Sequence, residues 1–194
     1  MIAILAGQER GNVESYNSLS KFIEFIKGKI YVGSIDEWNG FNINHYYIKT
    51  EPLCYNTIFE ESRHDHFMNY KYQWSALYQT YQTIKDSIED TDIILKLRND
   101  IVISLDGFEF PEIVNGEIWV PEKEFHEDKP FDVDAVCNDQ IVIGMKSSMD
   151  IYFDLLFKYN WNIPKNAGIE AILRDYLRQN NLKLKTFKLT YKKV

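Results

Sequence analysis

Residues 2 to 35 constrain the fold more than any other part of the sequence. "IAILA" at 2–6 is a short continuous apolar run, the length of a buried strand. "GQERGN" follows as a turn rich in glycine and polar groups. From Ser15 onward, Tyr16, Leu19, Phe22, Ile23 and Ile26 fall at helical spacing, and Gly28 reads as the stop. "KIYVGSI" then reads as a second strand. Strand, turn, helix, strand is a βαβ unit, which implies a parallel pair with helices covering the sheet.

The rest of the chain extends that plan. Residues 36–72 mix aromatics, histidines and turn formers, which predicts an insertion near a site or a pair of short strands. "WSALYQTYQTIKDSIE" places Trp74, Leu77, Tyr78, Tyr81, Ile84 and Ile88 on one helical face. "DIILKLRND", "GEIWVP" and "QIVIGM" read as strands, "SSMDIYFDLLFKYN" and "AGIEAILRDYLRQN" as helices, and "LKLKTFKLTYKKV" as a final strand. The expected class is α/β, with a mixed, mostly parallel sheet flanked by helices. At 194 residues the expectation is one domain, 1–194, with no internal repeat and no low-complexity linker.

Charge and cysteine content narrow the function. A net charge of −7 leaves no basic excess to displace counterions, so nucleic acid is not an expected partner. Two cysteines, Cys54 and Cys137, make neither a disulfide framework nor a CxxC metal pattern, which fits a reduced, cytoplasmic setting. The apolar opening "MIAILAG" is too short for a signal or a span, and no other run approaches membrane length. Thirteen Tyr and twelve Phe serve core packing first, although some could line a groove for a sugar.

Three stretches could carry chemistry. In "IILKLRNDIVIS" the polar residues Lys96, Arg98, Asn99 and Asp100 interrupt a run of strand formers. Alternation along a strand would put Lys96, Arg98 and Asp100 on one face, with Asp100 aimed into the crevice beyond the carboxyl ends of the strands. An Arg98–Asp100 surface pair without function explains the same residues. The turn "GQERG", with Gly7, Gln8 and Arg10, offers free backbone N–H groups and a guanidinium to an anion. It is neither GxGxxG nor a P-loop, so neither a Rossmann dinucleotide site nor a Walker NTPase is supported. Asp139 precedes the strand "QIVIGM"; it is either a turn aspartate or a carboxylate that takes a proton from a hydroxyl. The four histidines show no HExxH spacing, and "RHDH" reads as a solvated loop sooner than a metal site.

Taken in order, these pieces resemble a known family. "IAILAGQERG" with its helix, "KIYVGSIDEW", "IILKLRND", "NDQIVIGMKSSMDIYFDLL" and "AGIEAILRDYLRQN" resemble small glycosyltransferases of the GT-A (Rossmann-like) fold. In pattern they are similar to bacterial surface-polysaccharide enzymes of the WavE type and to glycosyltransferases of large algal viruses. The order of the motifs along nearly the whole chain carries the likeness.

The resemblance implies a nucleotide-diphospho-sugar donor at the sheet end, a glycan acceptor, and Mn²⁺ or Mg²⁺ held by an acidic motif. Here that motif is Arg98-Asn99-Asp100, so Asp100 is the implied metal ligand and the first carboxylate is missing. Gly7, Gln8, Arg10, Lys96 and Arg98 are the implied donor-binding residues. Asn138-Asp139 stands where relatives carry an x-E-D motif, which makes Asp139 the implied base of an inverting hexosyl transfer. Glu170 matches an acidic position in relatives, and it equally suits the first turn of a helix. A non-catalytic module that binds a nucleotide sugar or a glycan is the alternative.

Overall fold

The computed structural model describes residues 1–41, 43–51, 64–122, 140–158 and 169–194; within these, the side chains of 64–72, 156, 157, 169 and 170 fall outside the description. Strand β1 (Ile2–Ala6), helix α1 (Val13–Ile26) and strand β2 (Lys29–Ser34) form the expected βαβ unit. The two strands pair in parallel from Ile2↔Lys29 to Ala6↔Gly33. The helix begins before Ser15 because Asn12 caps it. Asn12 Oδ1 accepts from Ser15 N at 3.0 Å, and Ser15 Oγ accepts from Asn12 N at 2.9 Å. Two otherwise unpaired donors are thereby satisfied. At the other end Lys27, not Gly28, takes the left-handed conformation, with φ 50°.

Strand β3 (Tyr46–Lys49) adds in parallel to β2 and is the one strand described in the irregular region. Helix α2 (His64–Ile84) contains His64 and His66, which lie on a helix and not on the expected loop. It ends at Ile84 in a short 3₁₀ turn, Lys85–Ser87. Strand β4 (Ile93–Leu97) pairs in parallel with β1.

Beyond β4 come β5 (Ile101–Ser104), β6 (Glu117–Pro121) and β7 (Ile141–Met145). Helices α3 (Lys146–Phe153), α4 (Leu155–Lys158) and α5 (Ile169–Gln179) follow, then β8 (Lys183–Phe187) and β9 (Thr190–Lys193). Seven strands form one sheet in the order β3-β2-β1-β4-β7-β6-β8. Pairing is parallel from β3 to β4, antiparallel from β4 through β7 to β6, and parallel again from β6 to β8.

Two further expectations need correction. The final segment is not one strand. β8 closes the edge of the large sheet, whereas β9 pairs with β5 in a separate two-stranded sheet. The "RND" residues are not a strand face either. β4 stops at Leu97, Arg98 N donates to the Gln140 carbonyl at 3.1 Å, and the chain bends through Asn99 and Asp100 into β5. Lys96, Arg98 and Asp100 therefore do not share a face.

The sheet separates two apolar layers. Ile2, Ile4, Ile94, Ile118 and Val142 pack with Trp74, Leu77 and Tyr81 of α2, Tyr152 and Phe153 of α3, and Leu173 and Leu177 of α5. Ala3, Leu5, Val32, Leu95, Leu97 and Ile143 pack with Leu19, Phe22 and Ile26 of α1, and with Ile101, Ile103 and Tyr191 of the small sheet. Strand residues of β1 and β4 thus alternate between the layers, the period-two pattern of a sheet covered on both faces. Helix α2 crosses β2 very closely: a Cβ on Gly33 would lie 1.6 Å from Thr80 Oγ1. Among the described residues no helix is long and apolar enough to cross a membrane.

Candidate functional site

Four parallel strands end together along one edge of the sheet, and a cavity of about 500 Å³ opens there. That size lies within the ordinary range of ligand pockets. Its walls are the turn after β1 (Ala6–Arg10), the segment after β2 (Ser34–Asn39), Thr50 and Glu51 after β3, Gln73, Ser75 and Ala76 of α2, and Arg98–Asp100 after β4. Loops leaving the carboxyl ends of parallel strands meet in this way in open α/β sheets.

Gly7, Gln8, Arg10, Arg98 and Asp100 all line the cavity, so the glycine-bearing turn and the polar end of β4 are brought together. Asn99 joins them directly, its Nδ2 donating to the Gln8 carbonyl at 3.0 Å. Lys96 does not line the cavity. It is fully buried and shares the α2-facing side of the sheet with its cross-strand partners Ile4 and Val142. Asp139 and the side chain of Glu170 lie outside the described residues. The described chain resumes at Gln140, whose carbonyl accepts from Arg98 N.

Asp100 combines the two readings that its sequence left open. Arg98 does pair with it, Nε to Oδ1 at 2.7 Å and a terminal nitrogen to Oδ2 at 2.6 Å. The pair is not a surface pair, since the Asp100 side chain is only 3% exposed. Lys193 Nζ stands 3.9 Å from Oδ2, and Val194 N donates to the Asp100 carbonyl at 3.0 Å. Burial alone would raise the Asp100 pKa, but the hydrogen bonds and charge of Arg98, helped by Lys193, outweigh it and hold the carboxyl below its ordinary value. Asp100 is a fixed anion.

The sequence did not nominate Glu9, Asp36, Glu37, Trp38 or Glu51, which also line the cavity. Glu9 Oε1 accepts from Tyr16 OH at 2.9 Å and from Gly40 N at 2.8 Å, and Oε2 accepts from Asn39 N at 3.2 Å. Trp38 Nε1 donates to the Gly7 carbonyl at 3.3 Å. The signal for the segment after β2 was present: once 29–35 reads as a parallel strand, its carboxyl end belongs to the crevice. The Glu9 contacts with Asn39 and Gly40, some 30 positions away along the chain, have no local signature.

The lining carries the carboxylates of Glu9, Asp36, Glu37, Glu51 and Asp100 against the guanidiniums of Arg10 and Arg98. Among the described residues no three His, Cys, Asp or Glu side chains are grouped to hold a metal ion. A cation site built from protein ligands alone is therefore absent there. Both Asp100 oxygens accept from Arg98, so a cation reaching that carboxylate would have to share it with the guanidinium.

No family model matches the sequence. No curated protein matches it either. Solved structures do. The catalytic domain of Drosophila β1,4-galactosyltransferase 7 in complex with xylobiose superposes with a TM-score of 0.55 at 11% identity, over 100% of this chain and 69% of that one. The fold is that of the GT-A glycosyltransferases. The D211N mutant of the same fly enzyme, in complex with manganese, UDP-Gal and xylobiose, gives a TM-score of 0.51 at 13% identity, over 95% of this chain and 63% of that one. A glycosyltransferase involved in glycosylating the major capsid of PBCV-1 gives 0.49 at 13% identity, over 96% of this chain and 81% of that one. The chain thus spans about two thirds of the length of the galactosyltransferase structures.

Proposed function

We propose that this chain is a glycosyltransferase that moves a hexose from a nucleotide-diphospho-sugar to a glycan hydroxyl with inversion. The observation that carries the reading is the cavity at the carboxyl ends of β3, β2, β1 and β4, where the Gly7–Arg10 turn faces the buried anion Asp100. UDP-sugars are the first donors to test.

In this reading the diphosphate lies along the turn, where the Arg10 guanidinium offsets its charge. The donor arrives as a dianion at a lining in which carboxylates outnumber guanidiniums, so added positive charge is required. A divalent cation held by Asp100 and the phosphates would supply it, stabilising the departing diphosphate. Arg98 keeps Asp100 ionised and oriented. Asp139, one residue before the Gln140 carbonyl that Arg98 N meets, is the proposed base. The acceptor oxygen bonds to the anomeric carbon as the bond to the diphosphate breaks, and the hydroxyl proton passes to Asp139. General-base assistance of this kind contributes roughly 10²–10⁴-fold in rate.

One observation favours the non-catalytic alternative. Asp100 is already neutralised by Arg98, so a nucleotide sugar could be held without turnover. Calorimetry with UDP and UDP-sugars, with and without Mn²⁺, is paired with assays of transfer and donor hydrolysis. Metal-dependent binding with turnover lost in both Asp100→Ala and Asp139→Asn supports the enzyme. Binding without turnover supports the module, and the absence of nucleotide binding overturns both.

A further inference from the structure

Two loops line the cavity side by side, the turn after β1 and the segment after β2, and they leave neighbouring strands. The β1–β2 register ends at Ala6↔Gly33, and Gly7 N donates to the Gly33 carbonyl at 2.9 Å just beyond it, so the residues after Gly7 lie past the ladder. Glu9 spans the gap. Its two oxygens accept three hydrogen bonds, from Tyr16 OH, Gly40 N and Asn39 N, at 2.8 to 3.2 Å.

We infer that Glu9 is a positioning residue that clamps the segment after β2 onto the turn after β1 and so sets the width of the donor cavity. The inference rests on the donor-binding reading above. Three features of the surroundings support it. Tyr16 belongs to α1 and is 7% exposed, so the clamp is anchored on a core residue and not on another loop. Burial, and after it the hydrogen bond to Glu9, pushes the Tyr16 phenol above its ordinary pKa, so it stays a donor throughout the working pH range. Gly40 has no side chain where one would collide: a Cβ there would lie 2.8 Å from Glu9 Oε1 and 3.2 Å from the Tyr16 ring. The Trp38–Gly7 bond is a second tie between the same two loops, and the Asn99–Gln8 bond ties the turn to the end of β4.

A carboxylate accepting from backbone N–H groups makes charge-assisted bonds, about twice as strong as neutral ones. Removing it frees the loop, and the ligand must then supply the ordering. Glu9→Ala is expected to raise the dissociation constant for UDP with Mn²⁺ about tenfold or more. With a UDP-sugar donor, KM should rise and kcat should hold. Glu9→Gln keeps an acceptor for Tyr16 and Gly40, so it should recover most of the affinity. A residue that mattered only for overall folding would not divide KM from kcat or be rescued by its amide.

A second measurement does not depend on any ligand. Amide exchange followed by NMR should show Asn39 and Gly40 losing protection in Glu9→Ala while the β1 and α1 amides keep theirs. If wild-type protein binds no UDP, the donor reading falls, and unchanged Asn39 and Gly40 exchange would overturn the clamp as well. If UDP binds wild type and Glu9→Ala equally, the clamp is overturned and the donor reading stands.

Discussion

Replacing Arg98 by methionine removes the guanidinium and keeps the aliphatic bulk. It leaves the Asp100 carboxylate, 3% exposed, with the Lys193 ammonium 3.9 Å away as its nearest cation among the described residues. Breaking a buried ion pair by removing one partner costs about 3–5 kcal/mol. Lys193 is 40% exposed and softens the loss, so the lower end, about 3 kcal/mol, is expected. For a chain of this length that corresponds to a Tm lowered by about 6–12 °C. The pH dependence has a definite sign. Asp100 is held below its ordinary value of 3.8, so its contribution is full above that value and is lost as pH falls through the depressed folded pKa. In the variant, burial dominates and the Asp100 pKa moves up. The deficit of Arg98→Met should therefore be largest near neutrality and shrink toward acid. Urea midpoints at neutral and acid pH measure both effects, and Arg98→Met/Asp100→Asn should recover most of the neutral-pH loss. A neutral-pH deficit under about 1 kcal/mol, or a double variant no better than the single one, would refute the reasoning.

Gly33→Ala places a methyl 1.6 Å from Thr80 Oγ1, so overpacking should destabilise by about 1–3 kcal/mol, and by less in a Thr80→Ala background; equal urea midpoints for wild type and Gly33→Ala would contradict the close crossing of α2 over β2. Tyr81 donates its hydroxyl to Asp150 Oδ1 at 2.7 Å, so Tyr81→Phe should lower stability by about 1–2 kcal/mol in the same denaturation series.

What the sequence disclosed follows from how local each cause is. The run at 2–6 and the helical spacing from Tyr16 to Ile26 are local signals, and they yielded the βαβ unit that orients the whole sheet. Helix ends were displaced because capping chemistry decides them: Asn12 starts α1, and Lys27 ends it. The apolar alternation of "LKLKTFKLTYKKV" runs on through Lys188 and Leu189, and only pairing partners far away in sequence divide it between two sheets. Arg98 and Asp100 were legible as a polar break, yet Lys96 was not separable from them, because the end of β4 is set by the Gln140 carbonyl. Glu9 was invisible for the same reason: a carboxylate in a turn looks solvated until Asn39 and Gly40 are brought beside it.

The backbone bond from Val194 to Asp100 and the approach of Lys193 tie this part of the cavity wall to the end of β9, more than ninety positions later in the chain. On the ribosome, β1, α1, β2 and β4 emerge and can associate while the segment that seats Asp100 is still unmade. A nascent chain short of residue 190 lacks the whole of β9, so it can pair β1, β2 and β4 but not yet hold Asp100 against its C-terminal partners.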